Sequence, residues 1–227
     1  MGFNEAQTKA ICHKNGPAMV LAGPGSGKTL VITRRVEYLI KKYGVRPEQI
    51  LVITFTKAAA KEMRERFARI TKDDRFPVTF GTFHGIYYGI LKWAYRMNAS
   101  NIFSEEEKMM LLREVIAGME LEIEDEKEFL QGIASEIGQI KNNRLSLEEY
   151  ESSNCSDQMF RQIYEEYERR RKLLKKIDFD DMLVLCYELF QKRPDILQMW
   201  QKKFQYILID EFQDINAVQY DLVHAWH

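Results

Sequence analysis

Cysteine is scarce in this chain of 227 residues. Cys12, Cys155 and Cys186 are odd in number, far apart and never in a CxxC pair. That excludes a disulfide framework and reads as the reduced thiols of a cytoplasmic protein. None of the four histidines is spaced like a metal-ligand pair, so no zinc site is expected. No apolar run approaches the roughly 18 residues that a membrane span needs. The opening Met1-Gly2-Phe3-Asn4-Glu5-Ala6 has no basic or apolar signal region, and Ala6 stands where a myristoylation signal needs Ser or Thr. There is no internal repeat and no low-complexity segment.

What is present is ordinary in bulk and uneven in detail. Hydrophobic residues make up 45% and charged residues 30%, as in a globular chain long enough for one large or two small domains. Net charge is −1, which argues for no polyanion partner by itself. Yet twelve Lys/Arg (28, 34, 35, 41, 42, 46, 57, 61, 64, 66, 69, 72) face only four Glu (37, 48, 62, 65) between Lys28 and Lys72. From Glu105 to Glu128 acidic residues dominate, and Arg161 to Lys176 is basic again. A polyanion surface confined to part of the molecule would look like this, and so would solvated helix faces.

The glycines are concentrated where they matter. Ala22-Gly23-Pro24-Gly25-Ser26-Gly27-Lys28-Thr29 follows apolar Ala18–Leu21 and precedes Leu30-Val31-Ile32. A strand, a Gly-rich loop and a helix in that order make a phosphate-binding P-loop. The glycines let backbone N–H groups converge on phosphate oxygens, and the helix turns its positive end on the same anion. Lys28 can reach the β- and γ-phosphates of ATP, and the Thr29 hydroxyl can ligate Mg²⁺. Ala22 stands where the strict pattern has Gly, a position that needs only a small residue.

Four β-rich runs are expected to be strands: Ala18–Leu21, Ile50–Phe55, Val78–Phe83 and Tyr206–Asp210. They are mostly apolar rather than alternating, which fits a parallel sheet buried on both faces. Helices expected from Thr29 to about Tyr43 and from Lys57 to about Thr71 separate the first three, giving an α/β fold. From about Gly85 to Lys203 helix signals replace strands. Ser104-Glu105-Glu106-Glu107 and Ser146-Leu147-Glu148-Glu149 read as capping boxes, and Asp178 as the N-cap of a helix stopped by Pro194. The expected division is an α/β domain over 1–90 and 177–227, interrupted by an all-helical insertion over 91–176.

Tyr206-Ile207-Leu208-Ile209-Asp210-Glu211 ends an apolar strand in two carboxylates, at the sheet edge where ligands bind in open α/β folds. Asp210 can hold Mg²⁺ alongside Thr29, and Glu211 can orient or deprotonate the attacking water. At the ends of the second and third strands stand Phe55-Thr56-Lys57 and Thr82-Phe83-His84. Aromatics beside hydroxyls and cations suit single-stranded nucleic acid, bases stacking while the polar groups take phosphates. Taken alone, either Phe reads more readily as a core aromatic.

In order along the chain, these motifs resemble the UvrD/Rep/PcrA group of superfamily 1 DNA helicases. Asn4-Glu5-Ala6-Gln7 is similar to the group's Gln motif, Ala22–Thr29 to motif I and Thr54–Met63 to motif Ia. Gly81–His84 is similar to the next DNA-contacting motif, Asp178–Leu183 to a short later motif, and Asp210-Glu211-Phe212-Gln213-Asp214 to motif II. The resemblance implies a RecA-like ATP-binding domain of an ATP-dependent helicase that translocates on single-stranded DNA, 3′ to 5′. It implies that Gln7 reads adenine and Gln213 senses the γ-phosphate. It also implies a second RecA-like domain with an arginine finger beyond this N-terminal part, which alone is expected to be nearly inactive. Two departures bear on the branch. Thr56 and Lys57 are adjacent where many relatives place Asn between them, and Leu30 stands where many carry Arg. A recombination helicase-nuclease subunit and a nucleotide-gated module docking a protein through the helical insertion are the rival readings.

Overall fold

The computed structural model describes every residue except Met1, Asp74, Glu120, Glu122 and His227; the last two glutamates, counted in the acidic segment, thus lie outside the described residues. In chain order the elements are α1 Glu5–Cys12, α2 Lys28–Tyr43, β1 Ile50–Thr54, α3 Lys57–Thr71, β2 Thr79–Thr82, α4 Phe83–Tyr95 and α5 Glu105–Ala117. There follow α6 Glu126–Asn143, α7 Asp157–Leu173, α8 Phe179–Lys192, α9 Pro194–Lys203, β3 Tyr206–Ile209 and α10 Ala217–Ala225. The chain divides into two compact units, one of residues up to 86, 194–215 and 226, the other of residues 87–193 and 216–225.

The first unit is built on a parallel sheet in the order β2-β1-β3. Ile50 to Ile53 are fully buried, because β1 carries a strand on each edge and helices on its faces. Val36 and Leu39 of α2, and Met63 and Phe67 of α3, close the core with Val52, Phe80 and Leu208. The α2 stripe recurs at helical spacing, and Gly44 ends the helix in the left-handed region at φ 66°, its N–H returning to Ile40 O.

One expected strand does not form. Ala18–Leu21 belongs to no strand and lies outside the sheet, with Met19, Val20 and Leu21 exposed by 70%, 57% and 89%. Its composition suits a strand, but it pairs with no strand of the order β2-β1-β3. Four residues running straight into a Gly-Pro turn have little length with which to pair. The sheet that carries the site therefore has three strands among the described residues rather than four.

The second unit is helical. Leu112 and Val115 of α5, Ile133 and Ile137 of α6, and Phe160, Ile163 and Tyr167 of α7 form its main core. It includes α8, which buries Met182, Leu183, Cys186, Leu189 and Phe190, and α10 as well as the stretch 91–176. Ser104 caps α5 reciprocally with Glu107, and Asp178 caps α8 with Asp181. Ser146 caps no helix; its hydroxyl donates to Glu148 Oε2 at 2.8 Å within a turn. The Ser-x-Glu spacing there competes with the capping geometry by offering the hydroxyl a nearer acceptor. Pro194 does more than stop α8, since it also occupies the first position of α9.

Lys141 on α6 is buried against three carboxylates, 2.8 Å from Glu168 and 2.9 Å from both Asp178 and Asp181. Arg171 and Lys108 join this cluster. The basic run from Arg161 to Lys176 is thus largely satisfied within the unit. Arg161 donates to Leu147 O and Glu148 O, Arg169 and Arg170 pair with Glu166, and Lys176 with Glu107. No helix among the described residues is long and apolar enough to cross a membrane.

Candidate nucleotide and nucleic-acid site

All three strands run parallel, with Thr54 beside Thr82 and Ile53 beside Ile209. Everything that follows a strand's last residue therefore emerges at one edge of the sheet. Asp210 and Glu211 leave β3 there, Phe55 to Lys57 leave β1, and Phe83 and His84 leave β2.

The loop Ala22–Gly27 is mostly exposed and turns at Pro24-Gly25. Gly25 and Gly27 have φ of 74° and 82°, a region that Gly enters without the Cβ clash other residues meet. Ser26 N donates to Gly23 O at 3.3 Å. Lys28 and Thr29 open α2, whose N-cap is Gly27 with no side-chain cap. Its first N–H groups face the loop rather than a Ser or Asp hydroxyl or carboxylate. That is the donor set an anion needs at a helix N-terminus.

Lys28 Nζ lies 2.8 Å from Glu211 across 183 residues of sequence. The hydrogen bond to Glu211 raises the Lys28 pKa, with the field of Asp210 adding to it. Glu211 is lowered in turn by Lys28 and then by Gln213. Glu211 sits in the left-handed region, φ 52° and ψ 47°. Asp210 N donates to Ile53 O at 3.0 Å, fastening the end of β3 to β1. Burial and the neighbouring Glu211 raise the Asp210 pKa. Gln213 Nε2 donates to Glu211 Oε2 at 2.7 Å.

Gln7 is drawn to the same loop. Asn4 and Gln7 cap α1 reciprocally, and Gln7 Nε2 donates to Ser26 O at 3.0 Å. The residue that the sequence left unassigned here is Arg35, whose guanidinium donates to the carbonyls of Ala10 and His13 and docks α1 on α2. Burial lowers its pKa. Nothing in a local pattern distinguishes Arg35 from Arg34, which pairs with Glu37 at 2.7 Å.

The second set of residues divides by burial. Phe55 is 39% exposed, Phe83 only 2%, and their rings meet edge-on with centroids 6.0 Å apart. Thr56 caps α3, its hydroxyl accepting from Ala59 N at 3.0 Å. Thr82 Oγ1 accepts from Gly85 N at 3.2 Å at the start of α4. Lys57 is exposed on the first turn of α3 and makes no ion pair shown among the described residues. His84 is partly buried on α4. The exposed face here is Phe55, Thr56 and Lys57, with Phe83 beneath.

A family model described as the UvrD/REP helicase N-terminal domain matches residues 3–226. The chain is 41% identical to YjcD of Bacillus subtilis (strain 168) over 230 residues, covering 98% of this chain and 30% of that protein. It is 35% identical to the ATP-dependent DNA helicase Rep of Escherichia coli (strain K12), covering 98% of this chain and 34% of Rep. It is 34% identical to the ATP-dependent DNA helicase PcrA of Staphylococcus aureus (strain Mu50 / ATCC 700699), covering 97% and 31%. The chain spans about a third of the length of these curated relatives.

Proposed function

Since the chain belongs to the UvrD/REP helicase N-terminal domain family, we propose that it is the ATP-binding part of an ATP-dependent helicase that moves along single-stranded DNA, 3′ to 5′ by resemblance. In this reading the first unit is a RecA-like P-loop domain, and the stretch of about 91–176, which lies within the helical second unit, is an insertion into it. The observation that carries the proposal is the meeting of Lys28 and Glu211 at 2.8 Å, which joins the Gly-rich loop to the carboxylates after β3.

The residues fit Mg·ATP. Gly25 and Gly27 leave the loop backbone open, with no other atom within 4 Å of where a Cβ on Gly25 would stand. Ala22 to Thr29 would cradle the phosphates, and Lys28 would exchange Glu211 for phosphate oxygens. Thr29 and Asp210 would hold Mg²⁺, which takes one or two protein ligands and keeps several waters. Glu211, released from Lys28, takes a proton from water. That water's oxygen bonds the terminal phosphorus as the bond from this phosphorus to the β-phosphate oxygen breaks, leaving ADP and phosphate. Gln7, tied to Ser26 O, would read the adenine edge. Phe55, Thr56, Lys57, Thr82 and His84 would line the DNA path, with Phe83 supporting Phe55 from below. A second RecA-like domain elsewhere in such a protein would contribute an arginine to the phosphates.

Calorimetric titration of Mg·ATP into wild type and Lys28→Ala tests the site. Loss of a charge-assisted contact should weaken binding about tenfold or more. Equal affinities would refute the assignment. Single-stranded DNA should bind without sequence preference and more weakly as salt rises.

A further inference from the structure

Glu211 leads into a single 3₁₀ turn, Phe212–Asp214, from its left-handed conformation, and Asp214 N returns to Glu211 O at 2.9 Å. The turn folds the Gln213 side chain back over the carboxylate two residues earlier. Gln213 Nε2 donates to Glu211 Oε2 at 2.7 Å and to Asp214 Oδ2 at 3.2 Å. An ionised carboxylate only accepts, so the end of the amide facing these two groups is its NH₂ end. Glu211 is thus held twice, by Lys28 Nζ at 2.8 Å and by Gln213 at 2.7 Å.

Only one of these holds survives ATP binding in the reading above. The Lys28 ammonium is required at the phosphates, and once it turns there Glu211 loses its strongest partner. A carboxylate on a two-carbon stem then has free rotamers, and a base must be aimed within a few tenths of an ångström to be useful. Resting on that reading, we propose that Gln213 is a positioning residue. Its amide, braced on Asp214, fixes the Glu211 carboxylate while Lys28 is engaged with phosphate. A γ-phosphate sensor would instead have to abandon both carboxylates and turn its NH₂ end to the nucleotide.

The two roles separate by experiment in the full-length protein. DNA-stimulated ATPase kinetics would be measured for Gln213→Met, which keeps length and loses the donor, and for Gln213→Glu, which sets a like charge against Glu211. Affinities for ATP and ADP would be measured by calorimetry on the same proteins. Expected are a kcat lower by about ten- to a hundredfold for Met, a larger loss for Glu, and KM and both affinities within about twofold of wild type. In a Glu211→Gln background Gln213→Met should add almost nothing, because the group it positions is gone. Gln213 is exposed, so these variants should keep the wild-type circular dichroism. A selective loss of ATP over ADP affinity, an unchanged kcat, or full additivity with Glu211→Gln overturns the proposal. Wild-type turnover in Glu211→Gln itself would instead overturn the assignment of the base on which it rests.

Discussion

Replacing Lys141 with methionine should be among the most damaging single changes outside the proposed nucleotide site. The Nζ atom is within 2.9 Å of Glu168, Asp178 and Asp181, its side chain is 5% exposed, and it lies 5.4 Å above the Tyr167 ring. The helices carrying these groups, α6, α7 and α8, are held to one another through this ammonium. Three buried cations, Lys108, Lys141 and Arg171, face four carboxylates, Glu168, Asp178, Asp180 and Asp181, with Lys172 reaching Glu168 from the surface at 3.9 Å. Removing one partner of a buried pair costs about 3–5 kcal/mol. The lower end applies, because Asp178 keeps the Tyr167 hydroxyl at 2.9 Å and Asp181 keeps Arg171 at 3.0 Å. About 3 kcal/mol in a chain of this size lowers Tm by roughly 6–12 °C. Carboxylates left without Lys141 can recover by taking protons, so their folded pKa values rise relative to wild type. Stability they lend in the protonated form is lost as pH climbs, and the deficit against wild type should widen from pH 5 to pH 8. Denaturant titrations of both proteins at a series of pH values measure this. A loss under about 1 kcal/mol, or one that shrinks as pH rises, would show that the cluster is solvated and the reasoning wrong.

Asp181 supplies a second test in the wild-type protein. Burial, with Asp178 beside it, pushes its carboxyl up to about 6 from an ordinary 3.8. Stability from its protonated form is complete below about pH 4 and lost as pH rises through 6, so Asp181→Asn should flatten the stability profile across that window; an unchanged slope refutes it. Phe55→Ala should weaken single-stranded DNA binding by about 1–3 kcal/mol if the exposed ring stacks on a base, with Tm nearly unchanged. Phe83→Ala should do the reverse in stability, costing about 3–5 kcal/mol for a buried ring. The stacking role falls if Phe55→Ala lowers Tm and spares affinity. Gly27→Ala places a Cβ on a residue at φ 82° and should cost about 1–2 kcal/mol; a melt identical to wild type would mean that the loop relaxes freely.

Long periodic segments were legible in the sequence because one physical signal decides them. The apolar stripes of α2 and α3 recur at 3.6-residue spacing, and Ser104 and Asp178 announce α5 and α8 by reciprocal capping that the structure contains. Ala18–Leu21 has the composition of a strand, but composition describes a surface that fits a sheet and not the pairing that makes one. Ser146 misled because the same residues that build a capping box also build a local turn. The start of α4 is hidden because it falls inside a run, Val78–Phe83, whose aromatics and Thr favour strand, so that Phe83 reads as the strand's end rather than the helix's first residue.

The site was legible in its parts and not in its connections. A Gly-rich loop before a helix and an apolar strand ending in Asp-Glu are local patterns, each with a local reason. The Lys28–Glu211 pair spans 183 residues, and no spacing rule reaches that far; only the parallel order β2-β1-β3 brings the ends of the strands to one edge. The same topology separates Phe55 from Phe83. Both follow strands in register, yet Phe55 lies in the two-residue bend between β1 and α3 and stays exposed, while Phe83 opens α4 directly and is buried. Composition weighed the two alike, whereas their positions relative to the sheet set one at the surface and the other in the core. That difference is why Phe55 and Phe83 should respond oppositely to truncation, and why the pair is a sharper probe of the proposed nucleic-acid edge than either ring alone.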